Sequence, residues 1–180
     1  MCSSDLEGKL AGPAFTVKTA PGDNLLVHKA LDTARAGDVI VVDAGGFAEQ
    51  AIIGELMMSR AKQRGIAGLV IWGAIRDSAE IGAGTYPVFA AGVTHRGPYK
   101  NGPGEINVPI MMGGTPVNPG DIIVGDADGL VAVPQDMAER VLASAKAILE
   151  KETASMKQIL AGTVDRGWVD KALKEKGYRI

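Results

Sequence analysis

The chain has 180 residues, 46% hydrophobic and 22% charged, with a formal net charge of −2; this is the length of one ordinary soluble domain, and its apolar content with low net charge excludes disorder. No apolar run approaches the ~18–20 residues of a membrane span, and the near-neutral balance leaves no basic footprint for nucleic acid. One cysteine, Cys2, excludes a disulfide framework, and with only His28 and His95 beside it a Cys/His zinc cluster is excluded as well, so any metal must be a hard cation held by oxygen.

Met1-Cys2-Ser3-Ser4-Asp5-Leu6 leads into neither a capped helix nor a strand. It is similar to the translated end of a sequencing adapter read from an alternative start codon. Residues 1–8 are therefore expected to be foreign or disordered, and Cys2 to carry no information. No signal peptide is visible, so the cytoplasm is the expected compartment.

From Ala11 the order predicted is strand (Gly12–Thr19), helix (Asn24–Ala34), strand (Asp38–Ala44), loop, helix (about Glu55–Arg64) and strand (Ala67–Gly73). Gly22-Asp23 and Gly37-Asp38 punctuate this part, and Gly65 ends the second helix. Val39-Ile40-Val41-Val42 and Leu69-Val70-Ile71-Trp72 are continuous apolar runs, the pattern of strands buried on both faces. Helices alternating with buried strands predict an α/β layer.

Residues 82–134 are dense in Gly and Pro, with short apolar pieces between them: Val88–Ala91, Ile106–Val108, Ile110–Met112, Ile122–Val124 and Leu130–Val133. That composition predicts short strands and tight turns, with Asn118-Pro119-Gly120-Asp121 as one of the turns. A long helix is expected after Pro134 and is ended by Gly162. Its apolar stripe, Val141, Ala145, Ile148, Met156 and Ile159, is expected to be buried, and Glu152 interrupts it. A last amphipathic piece spans Val164–Lys176.

The strongest local signal is Gly73-Ala74-Ile75-Arg76-Asp77, directly after a buried strand. Ligands of α/β sheets sit beyond the carboxyl ends of strands. There Arg76 offers a planar fork to a carboxylate, and Asp77 offers a hard oxygen to magnesium or manganese. The same pair also fits a solvated salt bridge at a strand end. Gly54-Glu55-Leu56-Met57 opens a helix whose free N–H groups favour an anion, although the helix dipole alone accounts for Glu55 there. Asp43-Ala44-Gly45-Gly46-Phe47 is faintly similar to a methyltransferase or dinucleotide loop, but it lacks the third glycine and a helix opening directly after it. Asp126-Ala127-Asp128-Gly129 has part of a calcium loop without its closing glutamate, and reads as a strand-connecting turn. His95-Arg96 reads as a surface pair in a glycine-rich loop.

Gly12-Pro13-Ala14-Phe15-Thr16-Val17, Gly54-Glu55-Leu56, Gly73-Ala74-Ile75-Arg76-Asp77, Pro119-Gly120-Asp121 and Asp126-Ala127-Asp128-Gly129 together resemble the RraA-like family. This family joins the class II 4-hydroxy-4-methyl-2-oxoglutarate aldolases to the regulators of ribonuclease E activity. The resemblance runs from about Lys9 to Gly162, leaving 163–180 as a C-terminal helical extension. It implies a swivelling β/β/α domain, similar to phosphohistidine domains, assembled as a homotrimer or a dimer of trimers. The resemblance also implies a helical segment before the first strand, which is expected to be missing here.

The aldolase signature is a carboxylate, twenty residues, then Arg-Asp, and Glu55 with Arg76-Asp77 matches that spacing. The family's aspartate is a glutamate here. The resemblance implies that Asp77 binds the divalent cation and that Arg76 binds the 2-oxo acid and stabilises its enolate. The backbone N–H groups of Gly54, Glu55, Leu56 and Met57 would cradle the substrate carboxylate. Glu55 would order water at the cation, and Glu152 of a neighbouring subunit would complete the site. Retro-aldol cleavage would then release pyruvate, and oxaloacetate decarboxylation would pass through the same enolate. The rival reading is a non-catalytic inhibitor of ribonuclease E, whose signature has glycine at the position of Glu55 and a glutamate three after the aspartate, as Glu80 is here. A catalytically silent paralogue is the third reading. The retained carboxylate of Glu55 favours the lyase.

Overall fold

A computed structural model of the chain describes residues 9–179; the expectations for residues 1–8, Cys2 included, lie outside them. The chain divides into two units after Ala138.

The first unit is built on a seven-stranded sheet. Strand β1 (Leu10–Thr19) leads through helix α1 (Leu25–Thr33) to β2 (Val39–Ile53), and helix α2 (Glu55–Gln63) leads to β3 (Gly68–Ile75). A short helix α3 (Ser78–Gly82) precedes β4 (Val88–Val93). These four strands run parallel in the order β4-β3-β2-β1. Parallel pairing puts their carboxyl ends on one edge, and α2 and α3 both start there.

Strand β5 (Gly104–Ile106) pairs antiparallel with the end of β1, while β8 (Ile122–Asp126) pairs with its beginning and then with β9 (Gly129–Val133). A separate hairpin joins β6 (Ile110–Met112) to β7 (Thr115–Val117). Its two linking residues, Gly113 and Gly114, both have positive φ, the conformation a two-residue hairpin turn demands.

The core lies on both faces of the parallel strands. Ile40 and Val42 of β2 with Leu69 and Ile71 of β3 pack against Val27 and Leu31 of α1 and Ala61 of α2. Val39, Val41 and Val70 point the other way, toward Ile110, Val117 and Ile123 of the hairpin and β8. Full burial of such a side chain is worth about 1.5–3 kcal/mol, so the alternation along β2 commits it to the middle of the sheet. Helices cover one face and a second set of strands covers the other, which is the β/β/α arrangement expected. Thr16 ties the layers together: it is fully buried, and its hydroxyl donates to the Val108 carbonyl at 2.7 Å.

Three expectations are corrected. The segment after Ala44 is not a loop: β2 continues to Ile53, its register to β3 shifting at bulges between Asp43, Phe47, Ala51 and Ile53. Gly45 and Gly46, both with φ near +69°, turn the strand there, and the Trp72 ring lies against Gly46. Second, β3 runs two residues beyond Gly73, to Ile75. Third, the stripe of the long helix is not buried among the described residues. That helix, α4 (Ala138–Leu160), follows a 3-10 turn at Gln135–Met137 and has no buried residue. Val141, Ile148, Met156 and Ile159 are all exposed. It belongs to the second unit, whose other element is α5 (Gly167–Glu175), and neither helix has a buried side chain.

Candidate active site

The candidate site forms where β2 and β3 end side by side. Arg76 follows β3, and its backbone N–H donates to the carbonyl of Ile53, the last residue of β2, at 3.0 Å. Gly54 then turns the chain into α2. The Glu55 N–H at the head of that helix donates to Asp77 Oδ2 at 3.0 Å. Asp77 therefore occupies the position of an anion at the start of α2, where N–H groups lack intrahelical partners. The Met58 N–H closes the first turn on the Gly54 carbonyl. The N–H groups of Leu56 and Met57 belong to that same open turn, and the exposed Leu56 side chain leaves it accessible.

Asp77 holds a left-handed backbone, φ 55° and ψ 40°. That conformation costs a non-glycine residue roughly 1–2 kcal/mol. The strained turn re-aims the carboxylate from α3, which it precedes, toward the head of α2. Arg76 Nε lies 3.8 Å from Asp77 Oδ2, and the two side chains are 44% and 40% exposed. They are thus reachable by a ligand. Gly54 makes this packing possible. A Cβ there would press into Asp77 Oδ2 and stand 2.9 Å from Arg76 Cγ. Its own backbone, φ −143° and ψ −167°, is extended, so close approach is what requires glycine here.

A third wall comes from the loop after β4. The Thr94 N–H donates to the Ile75 carbonyl at 2.9 Å, and a Cβ on Gly97 would lie 3.6 Å from Arg76 Nη1. The loop thus comes close to the guanidinium at Gly97. At its outer rim Arg96 pairs with Glu49 at 3.8 Å, both exposed, which fits the surface reading of His95-Arg96.

The structure thus brings Gly54, Glu55, Leu56, Met57, Arg76 and Asp77 together. Glu152 lies exposed on α4, in the second unit. Glu80 is exposed in the first turn of α3. The two other acidic loops serve as turns. Asp43 accepts from the Gly45 and Met111 N–H groups, and Asp126 accepts from the Asp128 N–H between β8 and β9.

No group of three or more His, Cys, Asp or Glu side chains is gathered for a metal among the described residues. Asp77 Oδ1 accepts no hydrogen bond from them. One free oxygen on a carboxylate that is 40% exposed fits a hard cation that keeps most of its coordination for water and ligand oxygens, as magnesium does. Chemically, the site offers two helix amides and a guanidinium for an oxyacid, with one carboxylate for a cation.

Sequence reasoning passed over two buried residues bonded to segments that border this site. Asp23 and Asn24, both 2% exposed, reach the loop after β4 and the β2–α2 junction respectively. The only sequence signal was an Asp-Asn pair at the start of a helix, which also fits an ordinary cap.

A sequence profile of the family described as "RraA-like: Aldolase/RraA" matches residues 2–132. A protein of Halalkalibacterium halodurans named "Putative 4-hydroxy-4-methyl-2-oxoglutarate aldolase" is 50% identical over 138 residues, 77% of this chain and 66% of that protein. The chain thus spans just under two thirds of that relative's length. A Thermus thermophilus protein named 4-hydroxy-4-methyl-2-oxoglutarate aldolase is 37% identical over 71% of this chain and 77% of its own. The crystal structure of Streptomyces coelicolor RraAS2, described as an unusual member of the RNase ES inhibitor RraA protein family, superposes with a TM-score of 0.77. It is 32% identical and covers 86% of this chain and 79% of that one. With its β/β/α sheet and its Gly54–Asp77 cluster, the chain belongs to the RraA-like Aldolase/RraA family.

Proposed function

We propose that this protein is a divalent-cation-dependent lyase that cleaves 4-hydroxy-4-methyl-2-oxoglutarate-type 2-oxo acids to pyruvate, with oxaloacetate decarboxylation as a side activity. The observation that carries the reading is the convergence of Arg76, Asp77 and the open head of α2, locked by the Glu55 N–H to Asp77 bond. The names of the Halalkalibacterium and Thermus relatives support it.

Asp77 would hold the cation, magnesium or manganese, and when bound that ion supplies Lewis acidity toward the substrate's keto oxygen. The Leu56 and Met57 amides hold the substrate carboxylate by charge-assisted hydrogen bonds. Cleavage of the bond between C3 and C4 leaves its electron pair on the pyruvate fragment, as an enolate. The Arg76 guanidinium, flanked by Asp77 and by Gly97 of the loop after β4, faces that growing negative charge; preorganised donors of this kind lower the barrier without reorganising. Glu55, exposed at the mouth, orders a water that takes the proton of the 4-hydroxyl and returns one to the enolate carbon.

The reading includes a homotrimer or dimer of trimers in which Glu152 of a neighbouring subunit completes the site, and it places the protein in the cytoplasm. The unburied stripe of α4 supports the assembly, since exposed apolar rows of that length are found where another surface covers them. Among the described residues no helix is long and apolar enough to cross a membrane.

The test is pyruvate release from 4-hydroxy-4-methyl-2-oxoglutarate and from oxaloacetate, with magnesium, with manganese and with chelator. Chelator-sensitive release from either substrate is expected. No release, combined with binding to ribonuclease E, would replace the lyase by the regulator.

A further inference from the structure

We propose that Asp23 and Asn24 are positioning residues that set the two halves of this site independently, Asn24 the carboxylate-binding head of α2 and Asp23 the loop that steadies Arg76. The inference rests on the lyase reading for its kinetic consequence and on the geometry for everything else.

The two side chains leave one buried turn in different directions. Asn24 Nδ2 donates to the Ile52 carbonyl at 2.9 Å and lies 3.3 Å from Met57 Sδ. Its amide therefore supports both the end of β2 and the first turn of α2, the segment whose N–H groups lack intrahelical partners. Asp23 turns to the loop after β4. Its Oδ2 accepts the N–H groups of Asn101 (2.5 Å) and Gly102 (3.0 Å), while Oδ1 accepts that of Leu25 at 2.9 Å. Three N–H groups converge on one carboxylate that is buried. Backbone bonds brace the same place: Asn24 N–H to the Tyr99 carbonyl at 3.0 Å, and Tyr99 N–H to the Gly22 carbonyl at 2.8 Å. This loop carries Gly97, where a Cβ would stand 3.6 Å from Arg76 Nη1, so it passes close beside the guanidinium.

A carboxylate is needed at position 23. An asparagine has one acceptor oxygen and would turn an NH2 toward an N–H donor, so it cannot serve all three groups. At position 24 an amide donor is needed, because the Ile52 carbonyl can only accept.

The kinetic consequences differ because the two halves act at different stages. The helix amides hold the substrate carboxylate equally in ground and transition states, so loosening them raises KM. Arg76 meets a charge that exists only in the transition state, so loosening its loop lowers kcat. Asn24→Ala is expected to raise KM about tenfold with kcat within about twofold, and Asp23→Asn to lower kcat about tenfold with KM within about twofold. Asp23→Glu, which keeps both acceptor oxygens, is expected to recover part of the lost kcat.

Amide hydrogen exchange on the full chain reads the same division without turnover. Asn24→Ala should speed exchange at residues 54–58 and Asp23→Asn at residues 97–102, each leaving the other segment near its native rate. If both variants change kcat and KM in the same proportions, or loosen both segments alike, or leave both native, the proposal is overturned. If the unmodified chain releases no pyruvate, the lyase reading fails by itself, and the exchange pattern alone decides the clamp.

Discussion

Asp77 concentrates the chemistry of the site in one residue. It accepts from the head of α2, it pays for its aim with a left-handed backbone, and in the proposed lyase its other oxygen would hold the cation. Asp77→Ala is therefore expected to abolish pyruvate release, and metal titration of the variant should show no saturable site. Arg76→Lys keeps the charge and loses the planar fork. Its kcat should fall about 10²–10³-fold, the cost of removing one preorganised donor, and steady-state kinetics measure it directly. Asp23 supplies a prediction on pH. Burial raises its carboxyl, but the N–H groups of Leu25, Asn101 and Gly102, with Lys100 nearby, outweigh this and hold it below the usual carboxylate range. A carboxyl depressed in the folded state stabilises the fold above its unfolded value, about 3.9, and that stability is lost as pH falls through the folded value. Asp23→Asn should thus be less stable than the native chain at neutral pH, with the gap closing below about pH 4; thermal melts across pH 2–7 follow it. The sequence shows Arg76 and Asp77 plainly because they directly follow an apolar strand. It hides the role of Asp23 because two of the groups that define it lie 78 and 79 residues away.

At the scale of elements, the site is a product of where strands stop. β2 and β3 must end in step for the Arg76 N–H to reach the Ile53 carbonyl, and the bulges after Asp43 bring the two ends level. The sequence predicted the apolar half of β2 and missed the rest, because Gly45-Gly46 and the polar Glu49-Gln50 break the apolar run while the ladder persists through its shifts. It found β6 and overlooked β7, where Pro116 masks a short hairpin strand. The α2 boundary was legible to within a residue, since Gly54 and Glu55 mark a helix start. Gly54→Ala tests whether that start is built for close approach. Its backbone suits alanine, so the added methyl acts only by displacing Asp77 and Arg76. Turnover should fall about 100-fold, as a displacement of roughly 1 Å in a site can cost, while circular dichroism remains that of the folded chain.

For the molecule as a whole, the two units carry different information. The first was readable as an α/β layer because its strands bury both faces inside one chain. In the second, the helical spacing of Val141, Ile148, Met156 and Ile159 identified α4 correctly, but spacing does not say which surface covers a stripe, and among the described residues these side chains are exposed. The assembly reading gives that stripe a neighbouring subunit and gives Glu152 a place beside another protomer's site. Glu152→Gln should then cut turnover at least tenfold while light scattering still reports the native assembly; full activity would remove the cross-subunit role.

Everything functional proposed for this chain passes through one carboxylate at the end of β3. The decisive measurement is pyruvate release by the unmodified chain and by Asp77→Ala, side by side, with magnesium and with chelator. The account predicts chelator-sensitive release from the former and none from the latter. Equal release from both, or release indifferent to chelator, would contradict it.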